Sequence, residues 1–134
     1  MKIKRVGFGG IPIQRITQDD TNKVIDELVK QGINFIDTAR GYTVSEEYIG
    51  NALVGRREKF YIATKSMSRN YEDMKKDIEI SLKNLKTDYI DLYQIHNLKI
   101  EEYDTIFDDN KAYKALLEDQ KEGKIKYIGI TSHS

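Results

Sequence analysis

Cysteine is absent from this chain of 134 residues. Disulfide bonds, zinc sites built on thiolates and iron–sulfur ligation are therefore impossible within these residues. A lack of cysteine fits a reducing compartment, although many secreted proteins share it. We expect a cytoplasmic protein.

A net charge is missing as well, because the 22 basic and 22 acidic residues cancel. The charged side chains are interspersed along the chain, so they create no field that would attract nucleic acid or an acidic surface. We therefore expect neither nucleic acid nor a membrane as a partner.

Long hydrophobic runs are also lacking. The N-terminus begins with the basic stretch Met-Lys-Ile-Lys-Arg, and the apolar run that follows is broken by Gly7, Gly9, Gly10 and Pro12. A signal peptide or a membrane span needs a longer uninterrupted apolar segment. The sequence thus predicts a soluble chain without either.

What the sequence does contain is a regular alternation of strand and helix patterns. Short β-prone runs predict strands over 6–10, 33–37, 60–64, 89–95 and 125–130. Helical spacing predicts helices between the cap Thr17 and the stop Gly32, between Ser45 and Gly55, over about 71–86, and over 112–122. Residues 98–110 are expected to form a loop with one short helical turn, and Tyr48, Tyr61 and Tyr89 fall at core-type positions.

This order implies right-handed crossovers and a parallel sheet. The pattern indicates an α/β fold in one domain, residues 1–134, without an internal boundary. Five parallel strands can form a small open sheet or part of an eight-unit barrel, which needs about 250 residues. In a partial barrel the first and fifth strands have bare edges, which favours self-association.

Polar side chains follow three successive strands of this pattern. Asp37 ends the second strand and Tyr42 follows it, Lys65 ends the third, and His96 ends the fourth. Because the carboxyl ends of parallel strands meet at one rim, these four side chains should share a cleft. Each alone has an ordinary explanation as a cap, packing or surface residue, but together they indicate an active site.

Three motifs in this order resemble those of the aldo/keto reductase superfamily. They are Phe-Ile-Asp-Thr-Ala-Arg-Gly-Tyr (35–42), Ile-Ala-Thr-Lys (62–65) and Tyr-Ile-Asp-Leu-Tyr-Gln-Ile-His-Asn (89–97). The resemblance implies a TIM (β/α)8 barrel that reduces carbonyls with a nicotinamide cofactor, usually NADPH, without a metal. It covers residues 6–134, roughly the N-terminal half of such an enzyme. The flanking phrases resemble the branch that often carries a C-terminal iron–sulfur segment, which this sequence does not contain.

The resemblance also implies roles for the four side chains. Tyr42 matches the general acid, Lys65 the lysine beside it, Asp37 the carboxylate that pairs with that lysine, and His96 the residue that orients the substrate carbonyl. The chemistry suits these types, because a free phenol with a pKa of about 10 releases its proton reluctantly near neutral pH. An ammonium nearby favours the phenolate, and a carboxylate keeps that ammonium charged and in place.

The same resemblance implies a set of cofactor contacts. Gly9 and Gly10 match the glycine-containing end of the first barrel strand, where the nicotinamide side packs, and Asp37 lies beside it. Thr131 and Ser132 align with a pair that holds the carboxamide. A bulged strand end is an equally good explanation of the glycines, and their spacing is not that of a Rossmann fingerprint.

Three readings of the function stay open at this point. The first is an NADPH-dependent oxidoreductase acting on a small aldehyde or ketone, represented by an N-terminal fragment. The second is a non-catalytic half-barrel that associates with itself or with another chain through its bare edges. The third is a lyase or isomerase that uses Lys65 as a Schiff-base amine, against which the pairing with Asp37 argues. No metal is expected, because the spacing of the acidic stretch 101–109 lacks the glycine and the glutamate that a calcium loop has at fixed positions.

Overall fold

The computed structural model describes residues 7–42 and 44–131. Within these residues the chain forms five strands and four α helices that alternate. Their order is β1 (Phe8–Gly9), α1 (Gln18–Gln31), β2 (Phe35–Asp37), α2 (Ser45–Ala52), β3 (Tyr61–Ser66), α3 (Tyr71–Leu85), β4 (Ile90–Ile95), α4 (Ala112–Lys121) and β5 (Ile125–Ile130). Short 3-10 turns occur at Ile11–Arg15, Arg57–Lys59 and Ile100–Glu102.

The five strands form one parallel sheet in the order of the sequence, β1-β2-β3-β4-β5. Each strand is joined to the next by a segment that contains a helix, as parallel pairing requires. The register places one row of residues straight across the sheet: Gly9, Asp37, Ala63, Leu92 and Tyr127. This architecture confirms the predicted half of a (β/α)8 barrel.

Side-chain caps explain where two of the helices begin. The Thr17 side chain accepts a hydrogen bond from the Asp20 amide at 3.1 Å, and the Asn70 side chain accepts one from the Asp73 amide at 2.8 Å. Both caps satisfy amides that have no partner within the first turn of a helix. Helix α1 ends where Gly32 adopts a left-handed conformation with φ of 73°.

The helices cover one face of the sheet and bury its apolar side chains. Ile25, Ile49, Ile78 and Leu116, one from each helix, are fully buried in a single cluster with Ile36, Ile62 and Ile95 of the strands. The opposite face is less covered, and Tyr127 at its edge is 68% exposed. This asymmetry is unusual for a parallel sheet, whose two faces are ordinarily both covered.

Several boundaries and burial predictions differ from the structure. Strand β1 has only two residues, and α2 ends at Ala52, before the predicted stop Gly55. Helix α3 ends at Leu85 because Lys86 takes up a left-handed conformation. The predicted core tyrosines Tyr48, Tyr61 and Tyr89 are all partly exposed. The fully buried tyrosine is Tyr93, on the helix-covered face of β4.

At the amino end of the sheet, a buried ion pair joins β3 to β4. Asp91 accepts hydrogen bonds from the Ile62 amide at 2.9 Å and from Arg57 at 2.8 Å. Arg57 also stacks over the Tyr89 ring, 4.1 Å from its centroid. Asp91 therefore stabilises the sheet at the end opposite to Lys65 and His96. No helix among the described residues is long and apolar enough to cross a membrane.

Helix α2 crosses the end of α3 at Gly50, where a larger residue would not fit. A Cβ there would lie 2.1 Å from the Asn84 carbonyl oxygen and 2.6 Å from the Leu85 Cα, backbone atoms that cannot rotate away. We predict that Gly50→Ala lowers the free energy of unfolding by about 1–3 kcal/mol, measured by urea denaturation.

The matched control is Gly41→Ala, because a Cβ at Gly41 meets no atom within 4 Å. Alanine at that position should leave the free energy of unfolding within about 0.5 kcal/mol of the parent value. Equal losses in the two variants would contradict close packing of α2 on α3.

Candidate active site

Lysine 65 holds a positive charge at the carboxyl end of the sheet, almost out of contact with water. The residue is 5% exposed. Its Nζ lies 3.3 and 3.4 Å from the two Asp37 carboxylate oxygens and donates to the Thr38 carbonyl at 3.1 Å. A buried ammonium requires such partners, because removal from water disfavours the charged form. Asp37, whose side chain is 42% exposed, faces the open side of the site.

Tyrosine 42 lies beside this ammonium because of a tight turn after β2. The Tyr42 amide donates to the Ala39 carbonyl at 3.2 Å, and the Ser45 amide donates to the Tyr42 carbonyl at 2.8 Å. The Arg40 amide donates to the Lys65 carbonyl at 2.8 Å, which joins the turn to β3. As a result, Lys65 Nζ lies over the Tyr42 ring, 4.8 Å from its centroid.

Histidine 96 completes the group directly after β4. Its amide donates to the Ser66 carbonyl at 2.8 Å, so the parallel ladder sets its height above the sheet. The His96 and Tyr42 rings meet edge to face, with centroids 6.3 Å apart and planes at 89°. The structure thus brings Asp37, Tyr42, Lys65 and His96 together at one rim.

Comparison with known proteins places this arrangement in a family. The model of the aldo/keto reductase family matches residues 5–134. The chain belongs to the aldo/keto reductase family.

Relatives of the family share this half of the barrel. An uncharacterized oxidoreductase of Bacillus subtilis, YqkF, is 35% identical over 98% of this chain and 46% of its own length. L-galactose dehydrogenase of Arabidopsis thaliana is 32% identical, with 98% and 45% covered. The solved structure of the aldo-keto reductase AKR11C1 from Bacillus halodurans, in its holo form, is 32% identical and superposes with a TM-score of 0.82 over 98% of this chain and 47% of that one. The chain therefore spans about half the length of the relatives it matches.

An arginine that the sequence analysis missed supports His96 in this member of the aldo/keto reductase family. The Arg69 guanidinium donates to the His96 carbonyl at 2.7 Å and to the Asn97 carbonyl at 3.0 Å. It also binds Glu102 at 2.7 Å. The pKa of Glu102 lies below its usual value, because its carboxylate accepts a hydrogen bond from the Lys99 amide and another from Arg69. No sequence signal points to Arg69, which reads as a solvated loop residue.

The two glycines predicted to contact a cofactor occupy different environments. Gly9 is exposed beside Asp37, and a Cβ there would meet no atom within 4 Å. Gly10 is buried, and a Cβ there would lie 2.6 Å from Ser45 Oγ and 2.9 Å from Thr38 Oγ1. Packing alone accounts for Gly10, whereas at Gly9 the backbone is open to the cleft.

Of the predicted carboxamide-binding pair, Thr131 lies after β5 and Ser132 lies outside the described residues. Thr131 Oγ1 accepts a hydrogen bond from the Asn97 amide at 2.9 Å, and the Thr131 carbonyl accepts one from the Leu98 amide at 2.8 Å. Thr131 therefore joins the β4 loop to β5, next to His96. Among the residues described, no group of three or more His, Asp or Glu side chains could hold a metal ion.

The contacts of Lys65 disfavour a Schiff-base mechanism, which needs an accessible amine. We predict that reductive alkylation with formaldehyde and borohydride near pH 7 modifies Lys65 later than exposed Lys59, because Lys65 is buried and donates to Asp37 and Thr38. Peptide mass spectrometry over a time course measures both positions. Early and selective modification of Lys65 would contradict this and favour a Schiff-base amine.

Proposed function

We propose that this chain carries the proton-donating group of a nicotinamide-dependent carbonyl reductase. The observation that carries the proposal is the position of the Lys65 ammonium, held by Asp37 and lying over the Tyr42 ring. A phenol beside a fixed positive charge is equipped to give up a proton, because the charge stabilises the phenolate that remains. The substrate class that needs such a donor is an aldehyde or ketone.

In this reaction Tyr42 donates its phenolic proton to the carbonyl oxygen as that oxygen gains negative charge. Lys65 stabilises the phenolate by its charge, and Asp37 keeps Lys65 charged and in place. The proton returns to Tyr42 from solvent after the alcohol leaves, which the partial exposure of Tyr42 allows. The alcohol product thus carries one proton from Tyr42 on its oxygen and one hydride on its carbon.

His96 is proposed to orient the carbonyl oxygen. Its ring lies edge-on to Tyr42, so a small polar atom above the rim can approach both side chains. A hydrogen bond to the developing oxyanion is stronger in the transition state than in the ground state. A cleft of about 440 Å³ lies beside Asn97, the residue after His96, and is proposed to take the rest of a small substrate; its lining is Met67, Arg69, Asn97, Leu98, Lys99 and Glu102.

The residues present fit a nicotinamide ring on the open side of Asp37. Gly9 leaves space there that a Cβ would occupy, and Asp37 is exposed on the same side. Gly9, Asp37, Thr131 and Ser132 are proposed to hold the ring and its carboxamide, with Gly10 contributing through its packing. A bound reduced nicotinamide would supply the hydride. NADPH is the preferred form in this proposal, by family resemblance.

The extent of the match bears on where activity is expected. Because the chain spans about half of its relatives, we propose that residues 1–134 form one partial barrel domain and that full activity belongs to a complete barrel. The catalytic group itself lies within the half described here. The cytoplasm is the proposed location, in keeping with a reduced cofactor and a chain without cysteine.

We predict that this chain changes the fluorescence of NADPH on binding. Tyr42→Phe should leave that binding unchanged, because the ring stays, and should lower aldehyde reduction roughly 100-fold to 10,000-fold, the range that general acid catalysis contributes. Turnover is measured as NADPH oxidation with a panel of small aldehydes.

The control is Tyr89→Phe, which removes a phenol at the opposite end of β4 and should affect neither binding nor turnover. Absence of any fluorescence change at millimolar NADPH would overturn the proposal for this chain. Full turnover in Tyr42→Phe would remove Tyr42 from the role of proton donor.

A second candidate function is favoured by the uncovered face of the sheet. Tyr127 is 68% exposed on β5, in the same row as partly exposed Leu92. Thr64 of β3 points to the opposite, helix-covered face, where its Oγ1 donates to Glu46 of α2. We propose, as the alternative, that a second copy of this chain associates through the bare edge of β5 and the uncovered face beside it, which makes a non-catalytic, self-associating subunit.

This alternative predicts a dimer in multi-angle light scattering at concentrations up to about 1 mM. Tyr127→Lys should shift the mass towards the monomer, because a charge on an exposed strand discourages pairing. Val54→Lys is the control, since Val54 is 68% exposed after α2, away from the uncovered face. A clean monomer for the parent chain at the highest concentration would contradict self-association.

A further inference from the structure

Arginine 40 lies beneath the turn that carries Tyr42, and the proposed mechanism does not use it. Its amide donates to the Lys65 carbonyl at 2.8 Å. Its side chain is 25% exposed and extends towards the helix-covered side, where Glu46 of α2 and Asp77 of α3 flank it. One Arg40 nitrogen lies 3.3 Å from a Glu46 oxygen, and Nε lies 3.6 Å from Asp77.

Glu46 is a carboxylate buried in this part of the fold, with 1% exposure. One of its oxygens accepts hydrogen bonds from Thr64 Oγ1 at 2.6 Å and from Ser81 Oγ at 2.7 Å. Ser81 in turn bonds the Tyr93 phenol, whose pKa is raised by burial, so it stays protonated. A buried carboxylate without a counter-charge is strongly destabilising, and Arg40 provides that charge.

Asp77 connects Arg40 to the chain just beyond Lys65. One Asp77 oxygen accepts hydrogen bonds from Ser66 Oγ and Ser68 Oγ, both at 2.5 Å. The other oxygen faces Arg40 Nε, which is buried and has no hydrogen-bond partner in the described part of the chain. The positive charge of Arg40 is therefore held between two carboxylates, Glu46 and Asp77, which are themselves fixed by other hydrogen bonds.

We propose that Arg40, held between Glu46 and Asp77, is a positioning residue that fixes Tyr42 relative to Lys65. Arg40 is two residues before Tyr42, and Ser66 directly follows Lys65. One Asp77 oxygen faces Arg40 and the other accepts a hydrogen bond from Ser66, so Asp77 connects the Tyr42 turn to the end of β3. A planar guanidinium spans two carboxylates at once, which a lysine ammonium at the end of a flexible stem does less well. The catalytic value of this positioning rests on the proposed function; the positioning itself does not.

The test compares Arg40→Gln and Arg40→Lys with the matched control Arg56→Gln. Arg56 has nearly the same exposure, 24%, but pairs with a single carboxylate, Asp26 at 2.7 Å, away from the site. The chain is labelled with [13Cζ]tyrosine, and the Tyr42 resonance is assigned from its loss in Tyr42→Phe.

Arg40→Gln is expected to shift and broaden the Tyr42 resonance, Arg40→Lys to do so less, and Arg56→Gln to leave it unchanged. A purely structural role would lower the melting temperature in Arg40→Gln and Arg56→Gln alike without moving the Tyr42 resonance. That result would overturn the proposal.

If Arg40→Gln does not fold, Asp77→Asn decides the question. Asparagine keeps the shape of Asp77 but removes the charge that faces Arg40, so the Tyr42 resonance should again shift. An unchanged Tyr42 resonance in a folded Asp77→Asn protein would overturn the positioning role.

The resonance is read without cofactor or substrate, which separates this proposal from the proposed function. Failure of NADPH to bind would overturn the reductase proposal and leave the Tyr42 shift intact. Where turnover is measured, Arg40→Gln should lower kcat by about a hundredfold with KM nearly unchanged, the effect of a small misplacement of a catalytic group.

Discussion

The burial of one ammonium group governs the carboxyl end of this sheet. Lys65 is 5% exposed, and its charge is compensated by the Asp37 carboxylate and the Thr38 carbonyl. Both partners belong to the end of β2, so the contact exists only when β2 and β3 pair in the observed register. A slip by one residue would turn Lys65 towards the helices and leave its charge without these partners. Fold and candidate chemistry therefore depend on the same pairing.

Three consecutive residues of β3 divide the polar interactions between the two faces. Thr64 binds buried Glu46, Lys65 binds Asp37 on the opposite face, and Ser66 binds Asp77. The alternation of a strand thus places one charged cluster above the sheet and another behind it. A buried charge that lacks its partner is destabilising. Each cluster therefore holds in place the turn that lies between them. The proposed positioning of Tyr42 relative to Lys65 depends on this double attachment.

Much of the fold follows from local patterns in the sequence. The caps Thr17 and Asn70, the stop Gly32 and the apolar spacing of the helices act within a few residues, so the order of elements and the parallel sheet could be predicted. The four rim residues could be found as well, because Asp37, Lys65 and His96 end or directly follow a recognisable strand, Tyr42 lies in the turn after β2, and family motifs surround all four.

The supporting residues could not be predicted, and the reason is physical. Arg40 lies 6 positions before its partner Glu46 and 37 before Asp77, and Arg69 lies 33 before its partner Glu102. In the sequence these residues look like solvated charges. Hydrophobic periodicity reports apolar burial, whereas a polar network is specified by pairing between elements. Tyr93 shows the same limit: it lies deeper than the tyrosines at Tyr48, Tyr61 and Tyr89 because Ser81 satisfies its phenol on the helix-covered face.

The contacts that hold the candidate site come from one continuous part of the chain. Every partner of Lys65, Arg40 and Arg69 described above comes from the segment between β2 and the loop after β4, residues 37–102. Lys65 and Asp37 lie on the same face of the sheet as Tyr127, whereas Arg40 pairs with Glu46 and Asp77 on the helix-covered face. The position of Lys65 over the Tyr42 ring is therefore set by contacts within this half of the barrel. Under the proposed function, the catalytic group is held by this half of the barrel, and cofactor binding also depends on what covers the face that Asp37 shares with Tyr127.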